Sequence, residues 1–517
     1  MPVNPHGASN LYGRNQAIMF KSLAPDKSFI LTLLALILTA FLYAPGALAI
    51  QTGSEVKYEP FTFETKDGRK LPAELGRIKV PENRSRAGGQ TLELAFMRLK
   101  STAKSPGPPL VLLAGGPGGS GIAEAQIFFH IFEPLLEYSD IIAFEQRSTG
   151  RSKPYLACSI KGFELDSLMS RENMLRYAVE YFRPCAESWR AQGVDFSAYN
   201  IKESADDVDD LRKALGVEKI NLWGFSYGTQ LGFSVIRRHQ QNINRAVFAG
   251  VEGPNDTRKL PSKIQKHFED INQLVKADPE WSKLIPDFLA LMKSVHEQLD
   301  RQPVTVEVTN RQTKQQTKVA VGKFALQVMI GIDVGDTGDI AGFPALYYSI
   351  SKGNYTLLAK KTQSLQTRIT APAPWAMIFS MDCASGATKE RDRRIKSEAP
   401  KSLLGEAINF PWPQICEIWG SPDIGDDSRT PEKSKVPTLF ISGSLDGRTP
   451  ISNSQELRKG FPNSELFIVD GAGHEDVFTP PATRQAIIEF IRGLPLSVKR
   501  TTHPPLKFVS PSTLEKH

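Results

Sequence analysis

The sequence predicts an α/β fold: a mostly parallel central sheet flanked by helices, with a largely helical segment inserted into it. Three observations predict it. Short apolar runs of strand length alternate with amphipathic stretches of helix length. One such run, "KINLWGF" (219–225), leads straight into Gly-Phe-Ser-Tyr-Gly and then a helix-like stretch. Between about 256 and 432 the alternation stops, and it resumes afterwards.

Taken in order, "TLELAFMRLK" (91–100) alternates as a strand does, and "SPGPP" (105–109) is a turn. "LVLLAGG" (110–116) and "DIIAFEQ" (140–146) are continuous apolar runs of the kind buried on both faces of a parallel sheet. In "ESADDVDDLRKALG" (203–216), Val208, Leu211 and Leu215 share one helical face, acids lie early and Gly216 closes the helix. "RAVFAGV" (245–251), "VPTLFISG" (436–443) and "SELFIVDG" (464–471) are further strands, and "TRQAIIEFIRG" (483–493) is a closing helix. The interrupting segment reads as helical over 262–300 and 344–366 and β-like over 304–321. The expected organisation is a leader (1–49), a sheet domain in two parts (50–255 and 433–500), an inserted cap (256–432) and an irregular tail (501–517). A separate domain is the alternative reading of the cap.

The 517 residues, 40% hydrophobic and 23% charged, exclude a disordered, collagen-like or multi-spanning chain. The net charge of +7 is scattered, with only short clusters such as "KERDRRIK" (389–396). No basic-aromatic platform accompanies it, so a nucleic-acid partner is not expected. Near the start, Lys21 and Lys27 precede the apolar run "FILTLLALILTAFLYA" (29–44), and Ala47 and Ala49 supply small residues after it. That order is a secretory signal peptide with cleavage expected after Ala49, translation starting at Met1 or Met19. The mature chain is then secreted or periplasmic without stable membrane association; an uncleaved anchor is the competing reading. Four cysteines follow the leader; an even count in an exported chain predicts two disulfides rather than four buried thiols, and closeness in sequence pairs them as Cys158–Cys185 and Cys383–Cys416. None of their spacings suits a metal, and no cofactor is expected.

A serine between two glycines at a strand-to-helix turn has its hydroxyl lifted above the sheet edge, and the glycines let the backbone pack closely there. Ser226, in Gly224-Phe225-Ser226-Tyr227-Gly228, is therefore the expected nucleophile. It needs a base, and on such sheets the acid and the histidine follow in chain order. Of the downstream histidines, His239 lies in the next helix, His267 and His296 in the insertion, and His503 and His517 in the tail. Only His474, in "DGAGHE", follows a sheet strand by a short loop. Asp446, just past the preceding strand, is the expected acid, with Asp470 and Glu475 as rivals. Two backbone N–H donors must meet the developing oxyanion. Tyr227 supplies one, and Gly116 in "AGGPGGSG" (114–121) the other. That loop lacks the spacing of a phosphate cradle.

"GGPGG", "EQRSTGRS" (145–152), "GFSYGTQLG" and "SGSLDGRTP…GAGH" resemble the prolyl iminopeptidase and tripeptidyl aminopeptidase family of serine α/β-hydrolases, most of all its secreted branch. The resemblance runs over roughly 90–480. It implies a cap inserted before the acid strand, release of residues from peptide N-termini, and a triad of Ser226, Asp446 and His474. The chain departs from the family where Asp-Gln-Arg-Gly is replaced by Glu145-Gln146-Arg147-Ser148, and where Ala114 stands for a histidine. An aminopeptidase must also hold the substrate ammonium, and a carboxylate in the cleft is its natural partner. Glu252, leaving a strand in "FAGVEGPND", is the candidate, with Asp256 and Asp382 behind it; capping the loop or pairing with a cap arginine is the alternative for Glu252. An esterase or lipase acting on esters, and an inactive binding protein on the same scaffold, are the alternative functions.

Overall fold

The computed structural model describes residues 56–309 and 314–512; the leader expected over 1–49 lies outside them. A ten-stranded sheet runs through the molecule in the order β1-β2-β3-β5-β4-β6-β7-β10-β11-β12. β1 (Tyr58–Glu64), β2 (Lys70–Pro81) and β3 (Thr91–Leu99) form an antiparallel edge, and β3 pairs antiparallel with β5 (Ser139–Phe144). From β5 onward the sheet is parallel, through β4 (Gly107–Leu113), β6 (Ile220–Phe225), β7 (Ile243–Ala249), β10 (Thr438–Gly443) and β11 (Ser464–Asp470).

The apolar runs sit where both faces are covered. On β4, Val111 and Leu113 join one core with Leu222, Phe248 and the helices Ile201–Ala214 and Tyr227–His239. Leu110 and Leu112 face the other way, into a core with Trp223, Phe225, Phe478 and the helix Pro481–Ile491. Alternate residues of one strand thus serve two cores, so no polar position is left in the run.

Between β7 and β10 the chain leaves the sheet for helices including Pro261–Ala277, Phe288–Arg301, Lys323–Ile332, Thr356–Thr370 and Trp375–Ser385. A hairpin of β8 (Val304–Thr309) and β9 (Gln316–Val321) accounts for the β-like stretch. This insertion has a core of its own, with Phe268, Phe288, Met292 and Tyr347 fully buried. It also grips the sheet loops: His474 N–H donates to Gly335 O (2.9 Å) and Gly447 N–H to Val334 O (3.0 Å).

Several elements depart from the sequence reading. β1 and β2 extend the sheet before the first expected strand, and the helix Arg171–Ala191 stands between β5 and β6. The tail is not wholly irregular: β12 (Arg500–Thr502) pairs parallel with β11, because its backbone satisfies that strand's open edge. Among the described residues no helix is long and apolar enough to cross a membrane.

Candidate active site

β6 is buried along its whole length and ends at Phe225. Ser226 then takes φ 54 and ψ −124, and the helix begins at Tyr227. Such a backbone costs a non-glycine residue on the order of 1–3 kcal/mol and persists only where its surroundings fix it. Here Ser226 N–H donates to Ala249 O (3.0 Å) and Thr229 N–H to Ser226 O (2.9 Å). The flanking glycines are sterically required. A Cβ on Gly228 would lie 1.8 Å from Leu113 O, and one on Gly224 2.7 Å from Gly228 O.

His474 is seated in the loop after β11, its ring 4.8 Å from that of Phe225, the residue before Ser226. Its Nδ1 lies 2.8 Å from Asp446 Oδ2, which leaves Nε2 for the opposite side. Asp446 is buried and fully engaged. Oδ1 accepts from the Arg448 and Thr449 amides (2.8 and 2.9 Å), and Oδ2 also accepts from the Thr449 hydroxyl (2.5 Å). Burial alone would raise the carboxyl, but the charge and hydrogen bond of His474 and the Thr449 donors outweigh it and hold the pKa at about 2. Ser226 Oγ forms no hydrogen bond with His474 among the described residues; such contacts commonly tighten only when substrate is bound.

Most of the rivals have partners of their own. Asp470 pairs with Arg500 (2.7 Å), and the Glu475 amide donates to Asp336 (2.7 Å) while its carboxyl is pushed up by burial and then by Asp336. His239 pairs with Asp206 (2.8 Å), His296 with the Tyr347 hydroxyl (2.9 Å) and His503 with Pro504 O (2.9 Å). His267 is buried in the insertion, which lowers its pKa to about 4. His517 lies outside the described residues.

The glycine loop after β4 comes against the serine: a Cβ on Gly115 would lie 3.2 Å from Ser226 Cβ. Gly116 takes φ +123, and there a Cβ would meet Gly118 N at 2.8 Å. Tyr227 opens its helix, so its N–H has no partner within that helix. Three further side chains shape this region. Glu124 Oε2 accepts from Gly115 N–H (3.0 Å), its Oε1 from the Trp223 indole (3.2 Å), and Gln146 donates to Ala114 O (2.9 Å). Thr449 is the third. A glutamate in the first turn of a helix reads as ordinary charge patterning, so nothing local marked Glu124.

The Glu145–Ser148 stretch has a physical account. Glu145 accepts from Ser120 Oγ (2.7 Å) and Gly121 N–H (3.1 Å), anchoring the loop's far end. Ser148 sits at φ 61, where a glycine enters freely, and its hydroxyl accepts from Leu156 N–H (2.7 Å).

Glu252 is buried and its carboxylate meets Lys259 Nζ at 2.7 Å. Asp256 accepts from Gly253 N–H (3.0 Å) and pairs with Arg391 (2.9 Å). The Asp382 carboxyl forms no hydrogen bond or ion pair among the described residues. Burial and then Glu252 push it well above the usual carboxylate range, Lys259 opposing them. The Tyr227 hydroxyl, buried nearby, also has no partner among the described residues. The cysteines are joined as Cys158–Cys185 and Cys383–Cys416.

The chain belongs to the alpha/beta hydrolase fold family, whose profile matches residues 108–481. It is 28% identical over 440 residues to the serine protease Hip1 of Mycobacterium tuberculosis, covering 79% of this chain and 83% of that protein. It is 25% identical over 452 residues to the tripeptidyl aminopeptidase of Streptomyces lividans, covering 78% of each. A proline iminopeptidase of Neisseria meningitidis matches over 207 residues at 23% identity, covering 36% of this chain and 52% of that protein. Among solved structures, a thermophilic esterase from Thermogutta terrifontis is similar at TM-score 0.35 and 15% identity, over 81% of this chain and 98% of that one. That score is too low to add to the family match.

Proposed function

We propose that the protein is an exported serine aminopeptidase that releases residues or short peptides from peptide N-termini through an acyl-enzyme on Ser226. The chain is a serine hydrolase of the peptidase type, as its family and its relatives named serine protease and tripeptidyl aminopeptidase indicate. The observation that supports the triad is the 2.8 Å bond between His474 Nδ1 and buried Asp446, beside the strained Ser226 turn. Export is supported by the two disulfides, which persist in oxidising compartments.

In this reading His474 Nε2 takes the Ser226 proton as Oγ attacks the scissile carbonyl, and Asp446 fixes the tautomer and stabilises the imidazolium. The Gly116 and Tyr227 amides receive the oxyanion. His474 then returns the proton to the leaving amine, and water repeats the cycle on the ester. Glu252 and Asp382, with the Tyr227 hydroxyl, seat the substrate ammonium. Bringing that cation to Asp382 favours its ionised form, so binding and deprotonation are coupled.

The test compares free peptides, N-acetylated peptides, aminoacyl-p-nitroanilides and p-nitrophenyl butyrate. Equal rates on acetylated and free peptides would overturn the aminopeptidase reading, and preference for the butyrate would favour an esterase. A fluorophosphonate adduct on Ser226, absent in Ser226→Ala, excludes an inactive binding protein. Glu252→Gln should raise KM for free peptides more than for acetylated or ester substrates.

A further inference from the structure

A cavity of about 500 Å³ opens at the oxyanion loop, with Gly116 and Pro117 on its rim. Its wall is apolar and aromatic, including Phe182, Trp375, Phe379 and Trp412. Two charged side chains line it, Arg368 and Arg448, and no carboxylate does. Buried indole N–H groups of Trp375 and Trp412 have no partner among the described residues, so the wall also offers unused donors.

Arg448 follows the acid loop directly. Its amide donates to Asp446 Oδ1, and its guanidinium donates to Ile332 O (2.9 Å). Its stem shares Gly335 with the general base: a Cβ there would lie 2.8 Å from Arg448 Cδ and 3.3 Å from His474 Cβ. Arg368, on the helix Thr356–Thr370, is open to the cleft and forms no hydrogen bond or ion pair among the described residues. The surrounding protein wall, which displaces water, and then the charge of Arg448 hold its pKa below the usual arginine range; Asp333, Asp339 and Glu475 oppose this from a distance. Those acids do not line the cavity, and Asp333 is already paired with Lys361. Two guanidiniums that line one cavity with no carboxylate among its lining residues are suited to bind an anion, and planar guanidinium matches carboxylate best.

His474 hands its proton to the leaving amine, so whatever follows the scissile nitrogen departs past His474 and therefore past Arg448. We propose that Arg368 and Arg448 form a carboxylate seat on the leaving-group side, and that the favoured substrates are short peptides whose apolar leaving part ends in a free C-terminal carboxylate. This rests on the peptidase reading of the same cleft.

The experiment measures kcat/KM of the full-length protein on matched tetrapeptides with a free amine: the free acid, the C-terminal amide, and an amide whose last residue is Asp. The free acid should exceed the amide by about tenfold or more, mainly through KM. Arg368→Gln, at an open position, should bring that ratio near one, and Arg368→Lys should restore part of it. An unchanged ratio in Arg368→Gln, or equal rates on acid and amide in the wild type, overturns the seat. If the Asp-terminated amide matches the free acid, the carboxylate belongs to a side chain and the C-terminal assignment is overturned. Cleavage of N-acetylated peptides at the free-amine rate defeats the aminopeptidase reading and leaves the acid-to-amide ratio to be read by itself.

Discussion

Gly250 faces the ring of His474, and at φ +57 a methyl group on its Cα would lie 2.7 Å from Cε1 and 3.0 Å from Nδ1. The residue immediately follows Ala249, whose carbonyl fixes the Ser226 amide. Gly250→Ala should therefore push the imidazole away from Asp446 while straining the left-handed backbone by about 1–2 kcal/mol. A displacement of that kind is expected to lower kcat by about 100-fold with a smaller change in KM. Steady-state kinetics beside a thermal melt test this; a variant with wild-type kcat would mean that the ring tolerates the methyl group.

The buried Glu124 carboxyl is raised to about 8, by burial first, with the Gly115 amide and Trp223 indole pulling the other way and Glu475 adding to the rise. The folded protein therefore holds this proton from about 4.5 to about 8, where the unfolded chain has lost it. Its contribution to stability is complete below that window and is lost as pH rises through about 8. Glu124→Gln removes the titration. Relative to pH 6, wild type should lose on the order of a few kcal/mol by pH 9.5 that the variant does not. Urea melts at the two pH values measure the difference, and parallel losses in both proteins would count against this account.

What could be read from the sequence was what is local. The Ser226 turn announces itself because both glycines and the serine fall within five residues, and Asp446 and His474 each lie a few residues past a recognisable strand. Glu124 and Gly250 act across the chain, on Gly115 and His474, and neither position carries a spacing that reveals its partner. The helix Arg171–Ala191 went unread because Pro184 lies within it and only Met174, Phe182 and Ala186 are buried. β2 was obscured because it is polar at alternate and end positions near the sheet edge. The Lys259 partner of Glu252 cannot be inferred from the strand that leads to it.

Cys383–Cys416 ties the helix Trp375–Ser385 to the short helix Cys416–Trp419. The first of these carries Asp382 and also Ile378, which packs against Gly118. Closing a loop of this size is worth about 2–4 kcal/mol, largely through the unfolded chain. Replacing both cysteines with serine should lower stability by that amount and raise KM for free peptides, since the helix also shapes the cavity. Native-state alkylation followed by kinetics checks both parts. An unaltered KM would confine the disulfide to stability.

Arg147 is fully buried, with every arm engaged. Nε and Nη2 grip Asp207 (2.5 and 2.9 Å), Nη1 donates to Glu82 O (2.5 Å) and Ala198 O (2.8 Å), and Nη2 also reaches Glu203 (3.2 Å). A lysine carries a single ammonium on a flexible stem and cannot reproduce this fork. Removing the partner of a buried charge costs about 3–5 kcal/mol, because the remaining ion is left without compensation. Asp207 would keep Arg84 (2.7 Å), so Arg147→Lys should fall below that range and Arg147→Met within it. Both should also lower kcat, because neighbouring Gln146 holds Ala114 O at the start of the glycine loop that comes against Ser226. Asp207→Asn should cost less in the Arg147→Met background than in the wild type, because the guanidinium that the carboxylate compensates is already gone. A double-mutant cycle by denaturant melts measures that coupling, and strictly additive losses would show that the two side chains stabilise the fold independently.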